Sequence, residues 1–217
     1  MNLFLLDIDG TLVDSAEIDQ HCLTLAIEDV LGISTDGNWS QYQKVTDSGI
    51  IDEILLKNNI SESRSIIHRK VEARYLKCIR EYLYNNPSEM HEIKGAKKFI
   101  DQMQGREDTH IAIATGAWES AAKLKLQAVG IDTSNITFTS SSDAMSRTEI
   151  MALAAFRAKQ DTGETFDRRV FFGDGEWNKN ATQELGYDFV AVGTGVKHHT
   201  QIPNFTHYQS VFSQLSL

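Results

Sequence analysis

The stretch MNLFLLDIDGTLVDS (residues 1–15) decides the reading of this chain. An apolar run over residues 3–6 ends at once in two carboxylates, Asp7 and Asp9, and Gly10 and Thr11 follow. In a strand, residues i and i+2 point to one face. Asp7 and Asp9 are therefore expected to project together, with Ile8 opposite. Two acids that close repel each other unless a cation lies between them or one holds a proton. Ligands of open α/β sheets bind beyond the carboxyl ends of the strands, which is where this pair stands. Asp is also common in turns and caps, and a lone Asp-Gly would be read that way. Two acids against a buried run ask for more.

Four further apolar runs end in polar or glycine-rich turns: HIAIATG (110–116), ITFTSSS (136–142), RVFFGDG (169–175) and DFVAVGTG (188–195). Continuous apolar runs of this length fit strands buried on both faces, as in a parallel sheet. Helical patterns lie between them. AWESAAKLKLQAVG places Trp118, Ala121, Leu124 and Ala128 on one face, with Gly130 as a stop. TEIMALAAFRAK and NATQELG read the same way. From about residue 90 onward the pattern is βαβαβ, so the fold class is α/β with a doubly wound parallel sheet.

Residues 15–87 break the pattern, since no strand-like run occurs there. DSAEIDQHCLTLAIEDVLG opens with a capping-box pattern, Asp14 to Glu17, and stops at Gly32. DSGIIDEILLKN and SESRSIIHRKVEARYLKCIREYLY are further amphipathic helices. In the latter Ile67, Val71, Tyr75 and Tyr82 form one stripe, widened by Ile66, Leu76, Ile79 and Leu83, and it reads as a helix-bundle core. The predicted organisation is an α/β core domain over 1–14 and 88–217, with an all-helical cap domain over 15–87.

Composition narrows the function classes. The 217 residues are 41% hydrophobic and carry a formal charge of -9, enough chain for one sizeable core and too acidic to favour nucleic acid or anionic membrane as partners. Cys22 and Cys78 both fall in apolar helical patterns and read as reduced core thiols. No basic, apolar leader opens the chain. No stretch approaches the roughly 18 apolar residues of a membrane span. The expected setting is the cytoplasm.

The other strand ends carry candidate site residues. The second run finishes in Thr115 and Gly116 just before a helix. A hydroxyl with free backbone N–H groups at a helix start makes an anion cradle, and Thr115 reads equally as a plain N-cap. The fourth run finishes in GDGEWN, giving Asp174, with Glu176 and Asn178 close by. Three acids from two strands fit oxygen ligation of a hard cation such as Mg²⁺. Arg147 stands at a predicted helix start, where a cation opposes the helix dipole, which points to a functional reason. GDGEWN is not a dinucleotide loop, because Asn178 holds the place of the third glycine in G-x-G-x-x-G.

DIDGT fits the D-x-D-G-T signature, and with it the chain resembles the haloacid dehalogenase-like hydrolase superfamily over its whole length. The ATG at 114–116, Arg147 at the basic position, GDGEWN at 173–178 and the helical insert complete the resemblance to phosphatases with a small helical cap, such as phosphoglycolate phosphatase and the β-phosphoglucomutase-like members. The resemblance implies that Asp7 is a nucleophile forming an aspartyl-phosphate. It implies that Asp9 is the general acid/base, and that Thr115, Gly116 and Arg147 hold the transferring phosphoryl group. Mg²⁺ would be held by Asp7, the Asp9 carbonyl and Asp174. The substrate would be a small phosphorylated metabolite.

Two positions depart from the family pattern. Asn178 stands where another acid is usual, which removes a charge from the metal site. The basic residue is Arg147 rather than Lys, with Lys123 and Lys179 as other candidates for the role. Asp9 argues against carbon–halogen and phosphonate cleavage, whose enzymes lack that second acid. Sugar phosphomutases commonly carry a His twelve residues after the nucleophile, where this chain has Asp19. His21 lies about 200° away around a helix. A phosphatase is thus favoured over a mutase, and both over a degenerate, non-catalytic binding protein. A phospho-accepting receiver domain fails on length and on the inserted helices. QKVTDSGIIDE (43–53) resembles the cap segment facing the active site in related phosphatases. Thr46, Asp47 and Ser48 read there either as substrate contacts or as an N-cap. Glu176 is a possible substitute for the acid missing at Asn178.

Overall fold

Alternation within the first strand sets up both layers of the molecule. In β1 (Asn2–Leu6), Leu3 and Leu5 face one way and Phe4 and Leu6 the other, all fully buried. The structure, a computed structural model, describes residues 1–215. The last two residues of the predicted core segment lie outside the described residues. The remaining strands are β2 (Thr109–Ala114), β3 (Thr137–Thr139), β4 (Arg168–Gly173), β5 (Asp188–Val192) and β6 (Gln201–Ile202). They form one sheet in the order β3-β2-β1-β4-β5-β6, and every pairing is parallel. The expected doubly wound α/β sheet is present, with β6 as an edge strand of two residues that the sequence reading lacks.

Helices cover both faces. Phe4, Leu6 and Ile8 pack with α4 (Ala96–Gln104), α5 (Glu119–Ala128) and α8 (Gln209–Leu215), through Phe99, Met103, Ala122, Leu126 and Val211. Leu3 and Leu5 pack with α6 (Arg147–Thr162) and α7 (Glu176–Leu185), through Ile150, Met151, Ala154 and Ala181. Each Leu, Ile, Val, Phe or Met side chain among these contributes about 1.5–3 kcal/mol when taken fully from water. The direction of winding reverses between β1 and β4, and a crevice forms at such a switch point. Asp7 follows one of these two strands and Asp174 the other.

The segment after β1 folds into α1 (Ala16–Leu31), α2 (Asp47–Lys57) and α3 (Arg64–Asn85), as the periodicity predicts. Leu23 and Ile27 of α1, Ile51 and Leu55 of α2, and Ile67, Val71, Tyr75 and Ile79 of α3 share one cluster, which extends onto Trp118 and Ala121 at the start of α5. The two chain crossings into and out of this insert lie back to back. Val13 bridges Glu92, and Asp14 N–H donates to His91 O at 2.9 Å.

Four local expectations are corrected. Cys22 and Cys78 are buried as expected but are joined in a disulfide between α1 and α3, with Cα atoms 5.5 Å apart. Helix packing brings them together across a separation of 56 residues. Helix α1 begins after Ser15 and has no side-chain cap, so the Asp14–Glu17 capping box does not form. The Ser15 hydroxyl donates instead to Asp9 Oδ1 at 2.6 Å. Ile66 does not join the α3 stripe and is 43% exposed. The buried face of α5 runs through Ala121, Ala122, Lys125 and Leu126 rather than through Leu124 and Ala128.

Candidate active site

The chain leaves strand geometry at Leu6 and turns. The N–H groups of Thr11, Leu12 and Val13 all donate to Ile8 O, and Gly10 takes a left-handed φ of 73°. A side chain at Gly10 would collide with the Asp174 carboxylate, whose Oδ2 lies 2.0 Å from an added Cβ. Asp7 and Asp9 thus reach one cavity by a turn, not by persistence of the strand, and they have different partners.

Asp7, 2% exposed, lies against the starts of α6 and α7. Its Oδ2 accepts from Arg147 Nη1 at 2.8 Å and from Asn178 Nδ2 at 2.9 Å. Its Oδ1 accepts from Ile8 N–H at 2.9 Å. Arg147 is the first residue of α6, behind a Ser146–Glu149 capping box that compensates the helix start. Arg147 is therefore the cation on Asp7. Lys123 pairs with Glu119 and Lys179 with Glu176, each within its own helix. Glu176 is exposed and turned to Lys179, so it does not stand in for the acid missing at Asn178. Asn178 itself is fully buried, and its Oδ1 accepts from Gly175 N–H at 3.1 Å.

Asp174 lines the same cavity, and its Oδ1 is buried without a hydrogen-bond partner. Burial and then the negative charge of Asp7 push its carboxyl up to about 7. Among the described residues, no three His, Cys, Asp or Glu side chains converge closely enough to hold a metal by themselves. Two carboxylates, Asp7 and Asp174, are what the side chains here supply. That set, completed by water, suits a hard cation that keeps part of its hydration shell.

Thr115 is 1% exposed, and its Oγ1 accepts from Ala117 N–H at 3.2 Å, the contact of a capping hydroxyl. Gly116 and Ala117 line the cavity; Thr115 lies one residue behind. A Cβ on Gly116 would stand 2.3 Å from Arg147 Nη2, so only glycine leaves the guanidinium its place beside Asp7.

The insert roofs the cavity. Asp19, Gln20, Trp39, Thr46 and Asp47 line it from that side. Thr46 is the N-cap of α2, accepting from Gly49 N–H at 3.0 Å and donating to Met145 O at 2.6 Å. The N-cap reading of this segment therefore holds at Thr46, which also borders the cavity. Asp47 N–H donates to Gly116 O at 2.8 Å, and Asp47 Oδ2 accepts from Trp118 N–H at 2.8 Å. Burial, then the charge of Asp19, holds the Asp47 carboxyl well above the usual carboxylate range. Ser48 is drawn away from the cavity to Ser141, with which it shares a hydroxyl contact of 2.6 Å.

Gln20 and Trp39 on the cavity wall, Ser15 on Asp9 and, deepest of all, Lys125 are absent from the sequence reading. Lys125 of α5 is 0% exposed, and its Nζ donates to Asp9 Oδ1 at 2.5 Å and to Asp19 Oδ1 at 2.6 Å. Burial works against its charge, but Asp19 and Asp9 outweigh burial and hold the ammonium above its ordinary value. The available signal was its spacing, four residues after the buried Ala121.

The family model for haloacid dehalogenase-like hydrolases matches residues 4–176, and the chain belongs to that family. Similar solved structures share the fold over nearly the full length. A hydrolase from Pseudomonas syringae is 15% identical with a TM-score of 0.76, covering 99% of each chain. A β-phosphoglucomutase from Clostridium difficile is 16% identical with a TM-score of 0.71, over 99% of this chain and 98% of that one. A predicted phosphoglycolate phosphatase from Haemophilus somnus is 15% identical with a TM-score of 0.65, over 96% of each. No curated protein matches the sequence.

Proposed function

We propose that this hydrolase is a Mg²⁺-dependent phosphatase acting on a small phosphomonoester through an aspartyl-phosphate on Asp7. The observation that carries the reading is the environment of Asp7. A buried carboxylate sits at the switch point with Arg147 and Asn178 both donating to it, beside a second carboxylate, Asp174, whose Oδ1 has no hydrogen-bond partner among the described residues.

Phosphate monoesters hydrolyse so slowly that acceleration by up to about 10²¹ is required. A covalent intermediate divides that barrier. Asp7 attacks phosphorus, the ester P–O bond breaks, and Asp9 gives a proton to the departing alcohol oxygen. Asp9 then takes a proton from water as water displaces Asp7 from phosphorus. Arg147 and the Gly116 N–H hold phosphoryl oxygens, and Thr115 shapes the turn that presents them. Asp7, the Asp9 carbonyl and Asp174 would hold Mg²⁺, with Asn178 behind Asp7. When bound, the ion offsets the charge of a carboxylate meeting a phosphate dianion. Thr46 and Asp47 would contact the alcohol part of the substrate.

A phosphatase fits better than a sugar phosphomutase because Asp19 is committed to Lys125 and Tyr75. The cytoplasm is the proposed setting, where small phosphorylated metabolites occur. Among the described residues no helix is long and apolar enough to cross a membrane. Turnover of an aryl phosphate with Mg²⁺, abolished by EDTA, tests the activity. Absence of turnover on a broad phosphomonoester panel would favour the non-catalytic binding protein.

A further inference from the structure

Lys125 has no part in the scheme above, yet it is among the largest fully buried side chains of the molecule. Lysine is almost never fully buried unless paired, so the pairing is the place to look. Its three ammonium protons meet three partners from three places in the fold. Asp9 follows β1, Asp19 is on α1 at 2.6 Å, and the Tyr75 hydroxyl on α3 is at 3.3 Å. Tyr75 O–H also donates to Asp19 Oδ1. A continuous polar chain thus runs from α3 to α1, through a core helix, to the acid at the cavity.

The contact on Asp9 is selective. Asp9 Oδ1 accepts twice, from Ser15 Oγ at 2.6 Å and from Lys125 Nζ at 2.5 Å. Both contacts fall on that one oxygen, and Asp9 lines the cavity. We infer that Lys125 is a positioning residue: it fixes the Asp9 carboxyl so that Oδ2 faces the leaving alcohol, and it does so only while Asp19 and Tyr75 of the docked insert hold the ammonium in place. This rests on the phosphatase reading above. Withdrawal of α1 and α3 removes two of the three Lys125 contacts and leaves Asp9 beside a mobile lysine. Proton transfer is thereby tied to docking of the insert by a residue of the core.

The test compares two leaving groups. An alkyl phosphate needs a proton on its departing oxygen, whereas 2,4-dinitrophenyl phosphate releases a stable phenolate. The ratio kcat/KM reports events up to alcohol departure and is blind to later hydrolysis of the aspartyl-phosphate. Lys125→Met is expected to lower kcat/KM for glycerol 2-phosphate by about 100-fold or more, the scale of a lost acid catalyst. The loss on dinitrophenyl phosphate should stay under about tenfold, and KM for the alkyl ester should hold within about threefold. Lys125→Met leaves two partly buried carboxylates without their cation and can fail to fold, so Lys125→Met/Asp19→Leu, which removes the ammonium together with one of the two acids it pairs, is measured beside it. The same selective loss in the double variant supports the inference. An equal loss on both substrates, or no loss, in either folded variant overturns it while leaving the phosphatase reading intact. A wild-type protein inactive on both substrates overturns the reading and this inference with it.

Discussion

Asn178 donates its side-chain amide to Asp7 Oδ2 at 2.9 Å, beside the 2.8 Å contact from Arg147 Nη1. An aspartate at 178 could not make that bond; it would set a third carboxylate against Asp7 and Asp174. The family's usual acid has been exchanged here for a donor that steadies the proposed nucleophile. Asn178→Asp is expected to lower metal-free stability by about 1–3 kcal/mol, through a lost buried hydrogen bond and added repulsion. Mg²⁺ should then raise the Tm of the variant more than that of the wild type. Equal Mg²⁺ shifts would show that residue 178 is electrostatically remote from the ion.

The Asp174 carboxyl is pushed up to about 7 by burial and by Asp7. Its folded value exceeds its unfolded one, so in metal-free protein the native state holds the extra proton between about pH 4 and 7. This group therefore favours folding at the acid end of that window, and the benefit is lost as pH rises through 7. Mg²⁺ must displace the same proton. Its affinity, read by calorimetry, should weaken by about tenfold per pH unit below 7. Asp174→Asn should flatten that dependence. A wild-type affinity constant from pH 6 to 8 would remove Asp174 from the ligand set.

Gly116 lets Arg147 lie beside Asp7, since a Cβ would stand 2.3 Å from Nη2. Gly116→Ala is expected to displace the guanidinium and cost about 10²-fold in kcat/KM, the scale of one misplaced charge-stabilising donor. Tm should change by only a few degrees. A fully active Gly116→Ala enzyme would mean that the Arg147–Asp7 contact is dispensable.

The Cys22–Cys78 bridge closes a loop across 56 residues of the insert. Chain entropy assigns such a closure about 4 kcal/mol. Thiol titration of protein denatured without reductant should find neither cysteine free. Cys22→Ala should lower stability by about 2–4 kcal/mol. Two titratable thiols in protein isolated without reductant would restore the reduced core thiols expected from the sequence.

The sheet and the acids at its switch point were legible because a strand buried on both faces reads as an unbroken apolar run. Its end is marked where Asp7 or Asp174 interrupts that run. The α3 stripe was legible by its helical spacing, since Ile67, Val71 and Tyr75 recur every four residues on one face. Lys125 was not legible: lysine carries no apolar signal, and its burial depends on Asp9 and Asp19 arriving from elsewhere in the chain. The disulfide was hidden likewise, because nothing local in α1 or α3 states that their apolar faces meet at Cys22 and Cys78. Ser15 escaped as a site residue because local cap rules compete with a long-range acceptor, and Asp9 won.

The central claim is a covalent phosphoryl group on Asp7. The most direct measurement is acid quenching of the enzyme during Mg²⁺-supported turnover, followed by peptide mass analysis with and without hydroxylamine. The expected result is one hydroxylamine-labile phosphoryl group on the peptide carrying Asp7, with Asp7→Asn folded, unlabelled and essentially inactive. Turnover with no label, label on another residue, or a few per cent of wild-type rate in Asp7→Asn would contradict the account.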